Sequence, residues 1–146
     1  MAKRFTETTI WEDDWFYELS PEYKLFWFYI KDNCDYAGIW KPKPKIFQSL
    51  ADVEVNLNNA LKFFNVDKQR VRVLDNGYWY LEDFFRFQYA GREGKLNLKN
   101  RVHKAVLDTF FTMHIPLDSV RGLENIEIEK GNCLPPYEFE VNLRSI

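Results

Sequence analysis

No run of about 18 apolar residues occurs in the sequence, so nothing in it reads as a helical membrane span. Cysteine is scarce: Cys34 and Cys133 stand far apart, and neither has a histidine beside it. Such spacing resembles neither a zinc site nor a disulfide framework, so reduced thiols and a cytoplasmic setting are expected. The opening MAKRFTETTIWEDD is basic only at Lys3 and Arg4 and has no apolar core, so no secretory signal is expected. Internal repeats and low-complexity segments are lacking as well. A general excess of positive charge is also missing, since the formal net charge is −2. That argues against a protein that adheres to polyanions at large and leaves room for a local basic patch.

Aromatic residues are plentiful, with 5 Trp, 8 Tyr and 13 Phe among 146 residues. A chain of this length fits one domain and can bury about two-thirds of its unfolded surface. Its charge is segregated: −4 over residues 1–40, +1 over 41–85, +5 over 86–104 and −4 over 105–146. In the third block Arg86, Arg92, Lys95, Lys99, Arg101 and Lys104 oppose Glu93 alone. A basic block between acidic flanks suits either a phosphate footprint or a solvated helix entry, and charge does not choose between them.

The most informative stretch is Arg70–Leu81, RVRVLDNGYWYL. Apolar residues alternate into Asp75-Asn76-Gly77 and an aromatic run leaves it. Asn-Gly supplies the positive φ angles of a type I′ turn, so a hairpin pairing Arg70–Leu74 with Tyr78–Leu81 is predicted. Upstream, Leu57, Leu61 and Phe64 share a face at helical spacing, and Asn56 is placed to cap that helix. Ser20-Pro21-Glu22 opens an earlier helix with Tyr23, Phe26, Trp27 and Ile30 on one face. Gly38-Ile39-Trp40 reads as extended. Lys41-Pro42-Lys43-Pro44-Lys45 cannot be a helix interior, because both prolines lack an N–H donor, and a short helix over Lys45–Ala51 follows. Glu82–Tyr89 suits a helical turn or an extended segment, and Gly91–Gly94 a loop. Asn97 or Asn100 caps a last helix with Val102, Val106, Phe110 and Met113 as its stripe, ended by Pro116. From Asp118 periodicity fades. A helix feeding a two-stranded hairpin, with more helix upstream, is the winged-helix arrangement. The expected fold is thus α+β and mainly helical: a winged helix-turn-helix with an additional C-terminal helix over 1–117, then an irregular or partly disordered tail over 118–146.

No constellation reads as an active site. Gly91-Arg92-Glu93-Gly94-Lys95 looks like a phosphate loop only at first sight, because its glycines are too close and Leu96 stands where Ser or Thr is needed. Asp13-Asp14, Asp32…Asp35 and Glu82-Asp83 lack the Lys or His of a nuclease, which leaves helix ends and solubility as their role. His103, between basic residues, suits a phosphate contact or a plain surface position, and His114 sits near a helix end. No enzyme activity, metal or cofactor is expected.

Three segments in order resemble the N-terminal winged-helix domain of phage and prophage replication-initiation proteins. Leu19–Trp40 (LSPEYKLFWFYIKDNCDYAGIW) is similar to its opening helix and first strand. Asn76–Gly91 (NGYWYLEDFFRFQYAG) is similar to its wing and following segment, and Leu96–Phe110 (LNLKNRVHKAVLDTF) to the next helix. The resemblance covers about residues 4–115. It implies a DNA-binding module that helps recruit a replicative helicase or primosome protein to phage or mobile-element DNA. The residues expected to face DNA are Lys41, Lys43 and Lys45, then Asn58, Asn59 and Lys62 on the helix before the hairpin. Arg70 and Arg72 are expected on one face of the wing, with Val71 and Val73 packing inward. Arg92, Lys95, Lys99, Arg101 and Lys104 complete the set. Asparagine can read adenine edges, whereas a helix with so little charge also suits protein. The alternatives are an adaptor for a helicase or primosome component and a transcriptional regulator.

Overall fold

Pro21 opens a 13-residue helix, because its locked φ and missing N–H suit the first helical position. A computed structural model of the chain describes residues 3–89, 95–96, 99–123 and 127–128, and divides it into two compact units, Met1–Glu82 and Asp83–Ile146. The described residues form an α+β fold with six α-helices. No helix among them is long and apolar enough to cross a membrane.

In the first unit a 3-10 turn (Thr8–Glu12) and the short α1 (Asp14–Tyr17) precede α2 (Pro21–Asn33). The predicted face of α2 is the buried one: Tyr23, Phe26, Trp27 and Ile30 all lie in the core. Ser20 starts the helix without capping it, since its hydroxyl donates to Glu22 Oε1 at 2.8 Å instead. Asp35 then shapes the exit by accepting from the amides of Ala37 (2.8 Å) and Ile39 (3.0 Å). β1 (Ile39–Trp40) leads to α3 (Pro44–Ala51), α4 (Leu57–Phe64) and the hairpin β2 (Val71–Val73) and β3 (Trp79–Leu81). The antiparallel sheet has the order β1-β3-β2, with Trp40 opposite Trp79 and Arg72 opposite Tyr80.

The hairpin forms as predicted, but its turn differs. The Gly77 amide closes a turn on the Leu74 carbonyl, and the Leu74 amide pairs with the Tyr78 carbonyl, both at 2.8 Å. Gly77 has φ +86° while Asn76 stays at negative φ. Three residues therefore form the loop, with glycine in the left-handed third place, rather than the two of a type I′ turn. Val73 is another correction: it is half exposed, and only Val71 packs inward.

Rings fill this core. Phe26, fully buried, has the Phe47 ring at 4.9 Å, Trp40 at 5.6 Å, and Phe64 and Trp79 each at 6.3 Å. Edge-to-face and tilted contacts of this kind add to the area they bury.

The second unit opens on the helix α5 (Phe84–Gln88), which is how the stretch read as Glu82–Tyr89 resolves. A short parallel pair, β4 (Lys95–Leu96) and β5 (Glu127–Ile128), flanks α6 (Arg101–Thr112). Asn100 caps α6, accepting from Val102 N at 2.9 Å and His103 N at 3.4 Å. Val106, Leu107 and Phe110 are its buried residues. The predicted stripe was rotated: Val102 is exposed and Leu107 takes a core place. The expected irregular tail lies mostly outside the described residues, as do the Gly91–Gly94 loop and Cys133.

The end of α6 is a Schellman motif. His114 N donates to Phe111 O (3.1 Å) and Ile115 N to Phe110 O (2.8 Å), which places His114 at φ +58°. A side chain is strained there, and glycine is the usual occupant. His114→Gly is therefore expected to stabilise the protein by about 0.5–1 kcal/mol, raising the melting temperature by about 2–4 °C in a thermal scan.

Candidate nucleic-acid interface

A helix can be offered to a ligand only if its inner face is held firmly, and α4 is held at both ends. Asn56 caps it, accepting from the Asn59 amide at 3.0 Å, while its own amide donates to the Tyr23 hydroxyl at 3.0 Å. Ala60 and Phe64 are buried, with the Phe64 ring 4.9 Å from Trp27 and 6.3 Å from Trp15. At the far end Asn65 joins α4 to the hairpin. Its Oδ1 accepts from the amides of Arg70 (2.7 Å) and Val71 (2.9 Å), and its Nδ2 donates to Val71 O (3.1 Å). Asn58, Asn59 and Lys62 are left exposed. At spacings of three and four they share the outer face.

Lys41, Lys43 and Lys45 are exposed too, but they do not lie along one extended stretch. Lys45 already lies in the first turn of α3, Lys43 stands just before it, and the Lys41 ammonium sits over the Tyr78 ring at 5.6 Å. Lys43, Lys45 and Lys62 have no ion-pair partner among the described residues.

The two hairpin arginines are committed elsewhere. Arg70 is buried, its guanidinium 4.0 Å from the Trp15 ring centroid, donating to Phe64 O at 3.0 Å and paired with Asp67. Arg72 is bidentate on the buried Glu82, Nε to Oε1 at 2.5 Å and Nη2 to Oε2 at 3.0 Å, and that bond raises its pKa further. The expectation of a shared outward basic face on the wing is corrected. Period-two alternation does not govern Arg70, which precedes β2 and is turned by Asn65. What the hairpin tip exposes is Asp75, Asn76 and Gly77.

Arg70 also acts on Asp67. Its hydrogen bonds hold the carboxyl down from the ordinary 3.8 to about 2. A depressed carboxylate pKa stabilises the folded state above about pH 4, and that contribution drains away as pH falls toward 2. Asp67→Asn is expected to flatten this part of the pH dependence of urea unfolding.

In the second unit Lys99, Arg101 and Lys104 are exposed around the start of α6. Arg86 pairs with Asp83 at 3.0 Å, and Arg121 reaches the same carboxylate at 3.2 Å. His103 packs edge-on to Tyr89, their ring centroids 5.9 Å apart. Arg92 and the Lys95 side chain lie outside the described residues. Among the described residues no group of three or more His, Cys, Asp or Glu is placed to hold a metal ion. Cys34 is buried, and burial pushes its thiol up to about 11, far from a reactive thiolate.

Comparison with family models, with curated proteins and with solved structures finds no match to this chain.

Proposed function

We infer that the protein is a non-enzymatic, cytoplasmic DNA-binding module of the winged-helix type, working in replication initiation of phage or mobile-element DNA and alongside a helicase or primosome component. The reading rests above all on α4, whose outer face carries Asn58, Asn59 and Lys62 while its inner face and both ends are fixed. The chain order supports it: helix, short strand, two helices and a hairpin, with the first strand joining the hairpin in an antiparallel sheet. On the winged-helix reading, the helix before the hairpin, α4, is the one that enters a groove.

Cation placement adds support. Lys43 and Lys45 flank the start of α3, and Arg101 and Lys104 that of α6, and neither first turn holds an acidic residue. A cation at the positive end of a helix opposes the macrodipole, so these residues do not serve helix stability. At the positive end of a helix dipole such cations attract an anion, and a phosphate backbone supplies anions at regular spacing. Arg70 and Arg72 are held by Asp67 and Glu82 and do not add to these cations.

Fluorescence anisotropy with a labelled duplex tests the reading. If Lys41, Lys43, Lys45 and Lys62 each neutralise a phosphate, the log–log salt slope is about −3 to −4, and Lys62→Ala flattens it by about one. Failure to bind duplex at about 50 mM salt would overturn it.

A further inference from the structure

The face built by the 3-10 turn, α1 and the outer side of α2 is aromatic, acidic and uncovered. Trp11, Tyr17 and Leu25 are exposed by 59%, 72% and 50%. They form one surface: the Trp11 ring lies 6.0 Å from Phe28, Leu25 sits one turn before Phe28 on α2, and the Lys24 ammonium lies 5.9 Å from the Tyr17 ring. Trp11 is anchored by an edge contact at 5.2 Å to the fully buried Phe16, so it is held in place while remaining accessible. Glu12, Asp13, Asp14 and Glu18 lie in the same stretch of chain as Trp11 and Tyr17, all exposed and without an ion-pair partner among the described residues. Against these four carboxylates the face holds two lysines, Lys24 at the Tyr17 ring and Lys31, whose ammonium lies 6.0 Å from the Phe28 ring.

We propose that this face docks a basic amphipathic helix of a partner protein. Trp11, Tyr17 and Leu25 receive the helix's apolar stripe, and the carboxylates of the same stretch pair with lysines or arginines beside it. Sign of charge selects this occupant. Exposed rings alone fit many partners, but rings in a stretch with unpaired carboxylates repel an acidic helix and a nucleic acid alike. Trp and Tyr are the residues that most often anchor such contacts, and groove-bound helices are read through anchors at spacings of three and four. The inference stands apart from the DNA-binding reading, because it uses none of the residues assigned to DNA.

Full-length protein would be titrated into a labelled peptide of roughly five helical turns, with leucines on one face and lysines on the other. A scramble of the same composition serves as control. The expected result is saturable binding, at least about tenfold tighter than the scramble, and a loss of at least about tenfold on Trp11→Ala. DNA affinity should be unchanged. Should Trp11→Ala lose helicity by circular dichroism, Leu25→Ser provides the same reading. Equal binding of peptide and scramble would reduce the effect to bulk charge and overturn the proposal. So would unchanged peptide affinity in the folded variants. Concentration-dependent sedimentation that Trp11→Ala abolishes would assign the face to a second copy of this chain instead, again overturning it.

Discussion

Phe26→Ala is expected to cost about 3–5 kcal/mol of unfolding free energy. Phe26 is fully buried, and rings from α3, α4, β1 and β3 meet on it through Phe47, Phe64, Trp40 and Trp79. Truncation removes the ring's own transfer energy and leaves a cavity lined by four aromatic residues. Large stiff rings cannot collapse into that space without leaving their rotamers, so the cost belongs at the upper end of core substitutions. A urea titration should show the midpoint falling sharply with little change in slope. A loss below about 1 kcal/mol would mean that the rings do not share one core.

Arg72→Ala carries the second large effect, about 3 kcal/mol. Glu82 is buried at 3% exposure and receives both arms of the Arg72 fork. Removing the arginine strands a carboxylate inside the protein, which is costlier than losing a surface ion pair. Replacing the pair together, with Arg72→Met and Glu82→Leu, is expected to recover most of the loss, because the charge and its partner then leave as one. Equilibrium unfolding of the two variants checks the pattern. If the double variant is as unstable as the single one, the pair is not the cause.

These arginines also mark where the sequence could be read and where it could not. Periodicity and capping chemistry are local, so the inner face of α2, the caps at Asn56 and Asn100 and the hairpin around Gly77 were legible. Arg70 and Arg72 look like wing cations for the same local reason, yet a carboxylate ten positions beyond Arg72, Glu82, and an indole from α1, Trp15, claim them. No spacing rule announces a long-range partner. Asn65 was similarly opaque: its amide ties three backbone groups across the α4–β2 connection, which only the folded path reveals. The two-residue turn failed because pairing of Leu74 with Tyr78 leaves three residues between the strands. The candidate site was legible as a set of cations, and the fold sorts that set. Lys41, Lys43, Lys45, Asn58, Asn59 and Lys62 stay at the surface, while two arginines become part of the protein's interior bonding.

An amide chemical-shift map of the full chain, titrated with duplex DNA at about 50 mM salt, tests the outer face of α4 most directly. The shifts should concentrate on Asn58, Asn59 and Lys62, including both asparagine side-chain NH2 groups, with further changes at Lys41, Lys43 and Lys45. Asn58→Ala with Asn59→Ala should reduce discrimination between duplex sequences while leaving the salt slope nearly unchanged. A map with no change at Asn58, Asn59 and Lys62, or one centred on Trp11, Tyr17 and Leu25, would contradict the account.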